Sequence, residues 1–154
     1  MATDRETEIL LVEDDPDDLE LTLHALRSNK VVNKIEVARD GEEALDYIFS
    51  RGQFAGREQN RLPDLVLLDL KLPKVDGLEV LREIRNNPST RTLPVVILTS
   101  SKEEKDLVTG YQLGVNSYIQ KPVDFSQFRE TVKQLGLYWL MVNQPPPVGA
   151  RGEA

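Results

Sequence analysis

Cysteine is absent from this chain, so disulfide bonds, thiolate nucleophiles and zinc–thiolate sites are excluded. Histidine is almost as scarce, because His24 is the only one among 154 residues. No apolar run approaches the roughly 20 residues that a membrane helix needs, and the first residues lack the apolar core of a signal peptide. We therefore expect a soluble cytoplasmic protein without a membrane partner.

Positive charge is also in short supply, since 19 Lys and Arg stand against 26 Asp and Glu, a formal net charge of −7. This balance argues against direct nucleic-acid binding. The length and a hydrophobic share of 40% fit one globular domain with a core. We predict a flexible N-terminus over residues 1–7, a folded domain over residues 8–142 and a disordered Pro- and Gly-rich tail over residues 143–154.

The clearest strand pattern is the apolar run at residues 65–68, which leads directly into Asp69. A run this short, between two prolines, is typical of a strand buried on both faces. A second apolar run, at residues 9–12, leads into Glu13 and Asp14. Because a carboxylate is costly to bury without partners, we expect all three acids at the mouths of their strands.

Strand-like and helix-like segments alternate along the whole chain. Further strands are expected near residues 34–38, 94–99 and 116–120, and helices near residues 16–28, 41–48, 78–86, 102–113 and 125–140. Five strands alternating with five helices predict an α/β fold, a five-stranded parallel sheet with helices on both faces. In such sheets the ligand site lies beyond the carboxyl ends of the strands.

That rule brings Glu13, Asp14, Asp69, Thr99 and Lys121 together in one patch. Two unit charges about 4 Å apart repel by about 4 kcal/mol at an effective dielectric of about 20, so clustered carboxylates call for a cation or a proton. Oxygen ligands without His or Cys favour Mg²⁺. Asp69 would be the nucleophile that takes a phosphoryl group, while Lys121 and Thr99 would contact the phosphoryl oxygens. The patch has no obvious second substrate pocket, which indicates a switch rather than an enzyme.

The arrangement resembles the receiver domain of two-component response regulators. The motifs that carry the resemblance lie at residues 12–15 (Val-Glu-Asp-Asp), 67–73 (Leu-Leu-Asp-Leu-Lys-Leu-Pro), 76–77 (Asp-Gly), 98–100 (Leu-Thr-Ser) and 118–122 (Tyr-Ile-Gln-Lys-Pro). The match spans about residues 8–141. It implies a flavodoxin-like receiver with strand order 2-1-3-4-5, in which Asp69 accepts phosphate from the phosphohistidine of a sensor histidine kinase.

The resemblance also implies the roles of individual residues around Asp69. Mg²⁺ would be bound directly by Asp14 and Asp69, through water by Glu13, and by the backbone carbonyl of Lys71. Thr99, Tyr118 and Pro122 would form the switch. The Lys121-Pro122 bond is expected to be cis, and Thr99 would be drawn inward on phosphorylation with the ring of Tyr118 turning in behind it.

Softer features resemble the phytochrome-associated single-domain regulators. These are the polar insert at residues 50–62, the Asp-Pro-Asp-Asp opening of the first helix and a long last helix. This closer resemblance implies a phytochrome-type kinase, an unidentified downstream protein, and a homodimer. Its contacts would come from the apolar run Tyr138, Trp139, Leu140 and Met141, although the same run could instead cover the sheet within one chain.

Simpler interpretations exist for several of these residues. Tyr118 could be a half-buried core residue, and His24 a solvated one. Asp17 and Asp18 fit the first turn of a helix, where the dipole favours acids, better than they fit a ligand role. A phosphohydrolase would need a second acid two residues after Asp69, where Lys71 stands, whereas a pseudo-receiver that acts without phosphorylation stays open.

Overall fold

The computed structural model of the chain describes residues 7–27, 34–57, 61–100, 114–137 and 140. Within them, five parallel strands form one sheet in the order β2-β1-β3-β4-β5. The strands are β1 (Glu8–Val12), β2 (Lys34–Ala38), β3 (Leu65–Asp69), β4 (Val95–Thr99) and β5 (Ser117–Gln120). The predicted α/β fold and its strand order are confirmed.

The described part of the chain contains four α-helices and one short 3₁₀ turn. They are α1 (Pro16–Arg27), α2 (Gly41–Ile48), the 3₁₀ turn Gly52–Phe54, α3 (Gly77–Asn86) and α4 (Phe125–Gln134). The helix predicted at residues 102–113 lies outside the described residues. So do the N-terminal residues 1–6 and the tail from residue 141, so the predicted flexibility of both ends stays a prediction.

An aspartate is the N-terminal cap of each of the four described α-helices. The carboxylates of Asp15, Asp40, Asp76 and Asp124 accept hydrogen bonds of 2.7 to 3.1 Å from backbone N–H groups in the first turn. These N–H groups have no partner within their own helix, so the aspartates satisfy them and fix where each helix begins.

The last helix is shorter than its apolar pattern predicted. It ends at Gln134 because Gly136 adopts a left-handed φ of 74°. The N–H of Leu137 then donates to the carbonyl of Val132 at 2.9 Å, which closes the helix with a Schellman turn. The prediction that this helix continues through Leu140 is therefore wrong, since sequence periodicity could not show the conformation of one glycine.

Apolar side chains alternate between the two faces of the sheet and build a core on each. One core includes Leu10, Val66, Leu68, Val80 and Ile84, from the inner strands and α3. The other includes Ile9, Leu65, Leu67, Leu19 and Phe128, from the inner strands, α1 and α4. Fully burying one such side chain stabilises the fold by about 1.5–3 kcal/mol, so the two cores hold the carboxyl ends of the strands in place.

Leu140 is fully buried and belongs to the core on the α1 and α4 side. At this residue the structure fits the alternative in which the C-terminal apolar run covers its own chain, while the dimer contact stays a prediction. The other members of that predicted interface, Tyr138, Trp139 and Met141, lie outside the described residues. None of the helices in the described ranges is long and apolar enough to cross a membrane.

Candidate metal and phosphoacceptor site

Two neighbouring strands deliver the acids of the site. Asp69 is the last residue of β3, and Glu13 directly follows β1. Because Val12 pairs with Leu68, the next residues along the two strands, Glu13 and Asp69, come level with each other. This is the point where strand order reverses, since the chain goes from β1 to β2 on one side and β3 lies on the other. The predicted meeting of acids is confirmed.

Glu13, Asp14 and Asp69 each place one carboxylate oxygen within 4.8 Å of the others. Glu13 and Asp69 are buried, while Asp14 is exposed, so the group opens to solvent on one side. Such a set of oxygens could hold one divalent ion. In the described part of the chain, no other three metal-ligating side chains lie this close together. The donor set fits a hard cation such as Mg²⁺, which tolerates water as its remaining ligands.

The ammonium group of Lys121 lies against these acids. Lys121 follows β5, and its Nζ lies 3.0 Å from Asp18 Oδ2, 3.2 Å from Glu13 Oε1 and 3.3 Å from Asp69 Oδ2. Its backbone N–H donates to the carbonyl of Thr99 at 2.8 Å, which ties it to the end of β4. The bond from Lys121 to Pro122 is cis, as expected.

Burial and charge shift the pKa values of this cluster. Burial, together with a hydrogen bond to Asp69 and its negative charge, raises the pKa of Glu13 to about 7. Burial alone would lower the pKa of Lys121, but the hydrogen bond to Asp18 and the charges of Asp69 and Glu13 outweigh it and raise that pKa. The lysine therefore stays charged, while the buried Glu13 carboxylate favours a bound proton or a nearby cation.

The structure also locates the predicted switch residues. Thr99 is buried at the end of β4, one position beyond Leu98, which pairs with Asp69. Thr99 and Asp69 thus lie at adjacent strand ends. Tyr118 is half-buried and packs against the core on the α3 side, which fits its simpler interpretation as a core residue. Its role as a switch residue stays a prediction.

The loop after Asp69 shapes the open side of the site. Lys71 and Asp14 both line a groove of about 550 Å³, so the loop that contains the predicted carbonyl ligand faces the same space as an acid of the cluster. Helix α3 begins close behind this loop. A Cβ atom at Gly77 would lie 2.5 Å from the carbonyl oxygen of Asp69, so only glycine allows this approach.

Asp18 lies in the first turn of α1, as predicted. Its carboxylate also makes the shortest contact to the Lys121 ammonium, which the sequence interpretation did not foresee. A sequence signal was present: Asp18 stands three residues after the helix cap Asp15, and side chains at that position point back toward the start of the helix.

With this geometry established, the chain can be assigned to a family. It belongs to the response regulator receiver domain family, which matches residues 9–133. Probable methanogenesis regulatory protein FilR2 from Methanothrix harundinacea is 44% identical over 138 residues, which are 90% of this chain and 86% of FilR2. Response regulator Rcp1 from Synechocystis is 38% identical over 132 residues, 86% of this chain and 88% of Rcp1.

Solved structures extend the comparison to phytochrome-linked proteins. The bacteriophytochrome response regulator AtBRR has 53% identity and a TM-score of 0.83, covering 88% of this chain and 96% of AtBRR. The phosphorylated cyanobacterial phytochrome response regulator RcpA has 40% identity and a TM-score of 0.71, and the match covers 93% of this chain and 100% of RcpA. The Mn²⁺-bound form of Rcp1 has 35% identity and a TM-score of 0.70, and the match covers 92% of this chain and 99% of Rcp1. The predicted resemblance to phytochrome-associated response regulators is confirmed.

Proposed function

We propose that this chain is a Mg²⁺-dependent phosphoacceptor switch: Asp69 accepts a phosphoryl group from the phosphohistidine of a sensor histidine kinase, and the phosphorylated form changes its protein partner. The observation that carries the proposal is the convergence of Lys121, Glu13 and Asp14 on a buried strand-end aspartate. A carboxylate can form an aspartyl-phosphate, and phosphoryl transfer depends mainly on positioning and on neutralising charge. The phosphorylated form of the relative RcpA supports this chemistry.

In the proposed transfer, an Asp69 oxygen forms the new bond to phosphorus while the bond to the donor's histidine nitrogen breaks, and that nitrogen keeps the electron pair. The Lys121 ammonium, 3.3 Å from Asp69, offsets negative charge on the phosphoryl oxygens, and the Thr99 hydroxyl donates to one of them. Asp14, Asp69 and the Lys71 carbonyl would hold the Mg²⁺ ion, with Glu13 acting through water. The ion, when bound, would offset negative charge on the transferring phosphoryl group.

The same comparisons support the partners that we propose. Two of the relatives are phytochrome response regulators, which supports a phytochrome-type histidine kinase as the donor. We infer that the chain passes the signal to a downstream protein rather than to nucleic acid, because its formal net charge is −7. The chain would act in the cytoplasm and turn over no substrate of its own. The pseudo-receiver alternative is not favoured, because the positions of acceptor, acids and lysine are all intact.

The decisive variant is Asp69→Asn. Incubated with Mg²⁺ and acetyl phosphate, the unmodified chain should gain one phosphoryl group by intact-mass spectrometry, and Asp69→Asn should gain none because the amide cannot form the acyl phosphate. Asp46→Asn is the matched control, since Asp46 pairs with Arg51 on the surface and lies outside the acidic cluster. Uptake of one phosphoryl group by Asp69→Asn would refute the assignment of Asp69 as the acceptor. No uptake by the unmodified chain would leave the pseudo-receiver.

A further inference from the structure

Asp18 is the one contact of the Lys121 ammonium that the proposed function does not use. Of the three carboxylates that touch Lys121 Nζ, those of Glu13 and Asp69 belong to the group that could share a divalent ion. Asp18 stands outside that group, although its 3.0 Å contact is the shortest of the three. The contact between Asp18 and Lys121 therefore needs its own explanation.

The two cations of the site compete for the same oxygens. An ammonium group has three N–H donors, and the three carboxylate contacts of Lys121 occupy all of them. A divalent ion held by the acidic cluster would compete with the ammonium for the negative charge of Asp69 and Glu13 and would repel it. Before a phosphoryl group is present, a further anion is needed to hold Lys121 near Asp69.

The position of Asp18 suits that task. It lies in the first turn of α1, where the helix dipole stabilises a negative charge, and its backbone N–H is fixed by a 3.1 Å hydrogen bond to Asp15. Its side chain is 34% exposed and that of Lys121 is 11% exposed, so Asp18 holds the ammonium at the rim of the pocket. We propose that Asp18 is a positioning residue that holds Lys121 at this rim so that the lysine and a divalent ion can occupy the site together. This inference rests on the proposed function.

The test is the affinity for Mg²⁺ alone, measured by calorimetry on the full chain. Asp18→Asn should weaken Mg²⁺ binding about fivefold, because the displaced ammonium has lost its remaining anionic partner. Asp17→Asn is the matched control: it removes the same charge from the same helical turn, but Asp17 is exposed and is not one of the three carboxylates that contact Lys121 in the described part of the chain. Its effect should stay below about twofold.

A second background tests whether Asp18 acts through the lysine. In Lys121→Gln chains there is no ammonium to displace, so Asp18→Asn and Asp17→Asn should weaken Mg²⁺ binding equally, within about twofold. Asp18→Glu, which keeps the charge, should bind Mg²⁺ like the unmodified chain. If Asp18→Asn still weakens binding about fivefold more than Asp17→Asn in the Lys121→Gln background, Asp18 acts on the ion directly and the proposal is overturned.

The outcomes separate this inference from the proposed function. If the unmodified chain neither binds Mg²⁺ nor accepts a phosphoryl group, both the proposed function and the role of Asp18 are refuted. If the unmodified chain does both, but Asp18→Asn and Asp17→Asn bind Mg²⁺ alike with Lys121 present, only the role of Asp18 is refuted.

Discussion

Glu13 shows how the crowding of charge sets the chemistry of single side chains. Its carboxyl is fully buried beside Asp69, and its pKa is raised from 4.5 to about 7. The folded chain therefore binds a proton that the unfolded chain has lost between these two pH values. Without metal, the free energy of unfolding should rise as the pH falls from 8 to 5, by an amount on the order of 2 kcal/mol from this residue.

Urea denaturation of the metal-free chain at these pH values measures the effect. Burial also raises the pKa of Glu8, at the opposite end of the sheet, and this contributes a change of the same sign. The diagnostic quantity is therefore the difference between the unmodified chain and Glu13→Gln, which keeps Glu8. If both chains gain the same stability on acidification, Glu13 is not the group that takes up the proton.

Individual site residues could be predicted when they followed a strand directly. Glu13, Asp14 and Asp69 stand at the ends of apolar runs, and parallel strands bring such ends together whatever the details of packing. Asp18 could not be predicted in this way. Its role depends on Lys121, 103 residues away, whose side-chain direction only the folded sheet determines.

Arg85 joins elements that the sequence pattern left unconnected. Its guanidinium, near the end of α3, donates to the carbonyls of Gly114 at 2.8 Å and Leu93 at 2.7 Å, and to Asn116 Oδ1 at 2.8 Å. The same Asn116 oxygen accepts the N–H of Val95 at 2.8 Å. The arginine thus fastens the end of α3 to the starts of β4 and β5, the strands that lead to Thr99 and Lys121.

Replacement of Arg85 by Met should therefore destabilise the chain. The variant keeps much of the apolar stem but leaves these acceptors without the guanidinium, so we expect a loss of about 2–3 kcal/mol in the free energy of unfolding. Arg82→Met is the control on the same helix, because Arg82 pairs with Glu79 while both are 43% exposed. It should lose less than about 0.5 kcal/mol. Equal losses in chemical denaturation would contradict the role of Arg85.

Strands were easier to predict than helix ends. The apolar run at residues 65–68 and the one at residues 9–12 appear as the fully buried strands β3 and β1, because two-sided burial requires an unbroken apolar run. The predicted end of α4 was wrong, because the apolar spacing continues past Gly136 whereas the helical backbone ends before it. Apolar periodicity does not show that one residue adopts a left-handed conformation.

The strand order of the sheet brings acids that are distant in the sequence into one site. Strand order 2-1-3-4-5 places β3 between β1 and β4, so the acceptor has the acids on one side and Thr99 on the other. The sequence could predict this order only through the resemblance to receivers, since alternating strands and helices alone allow several orders. The homodimer implied by the same resemblance stays a prediction, with Leu140 committed to the core of its own chain.

The most direct test is a crystal structure of the chain grown with Mn²⁺, in which anomalous scattering locates the ion. We expect one ion bound to Asp14 and Asp69, with Lys121 withdrawn from Asp69 but still in contact with Asp18. An empty pocket with the oxygens of Glu13, Asp14 and Asp69 spread apart would contradict the proposed metal-dependent switch.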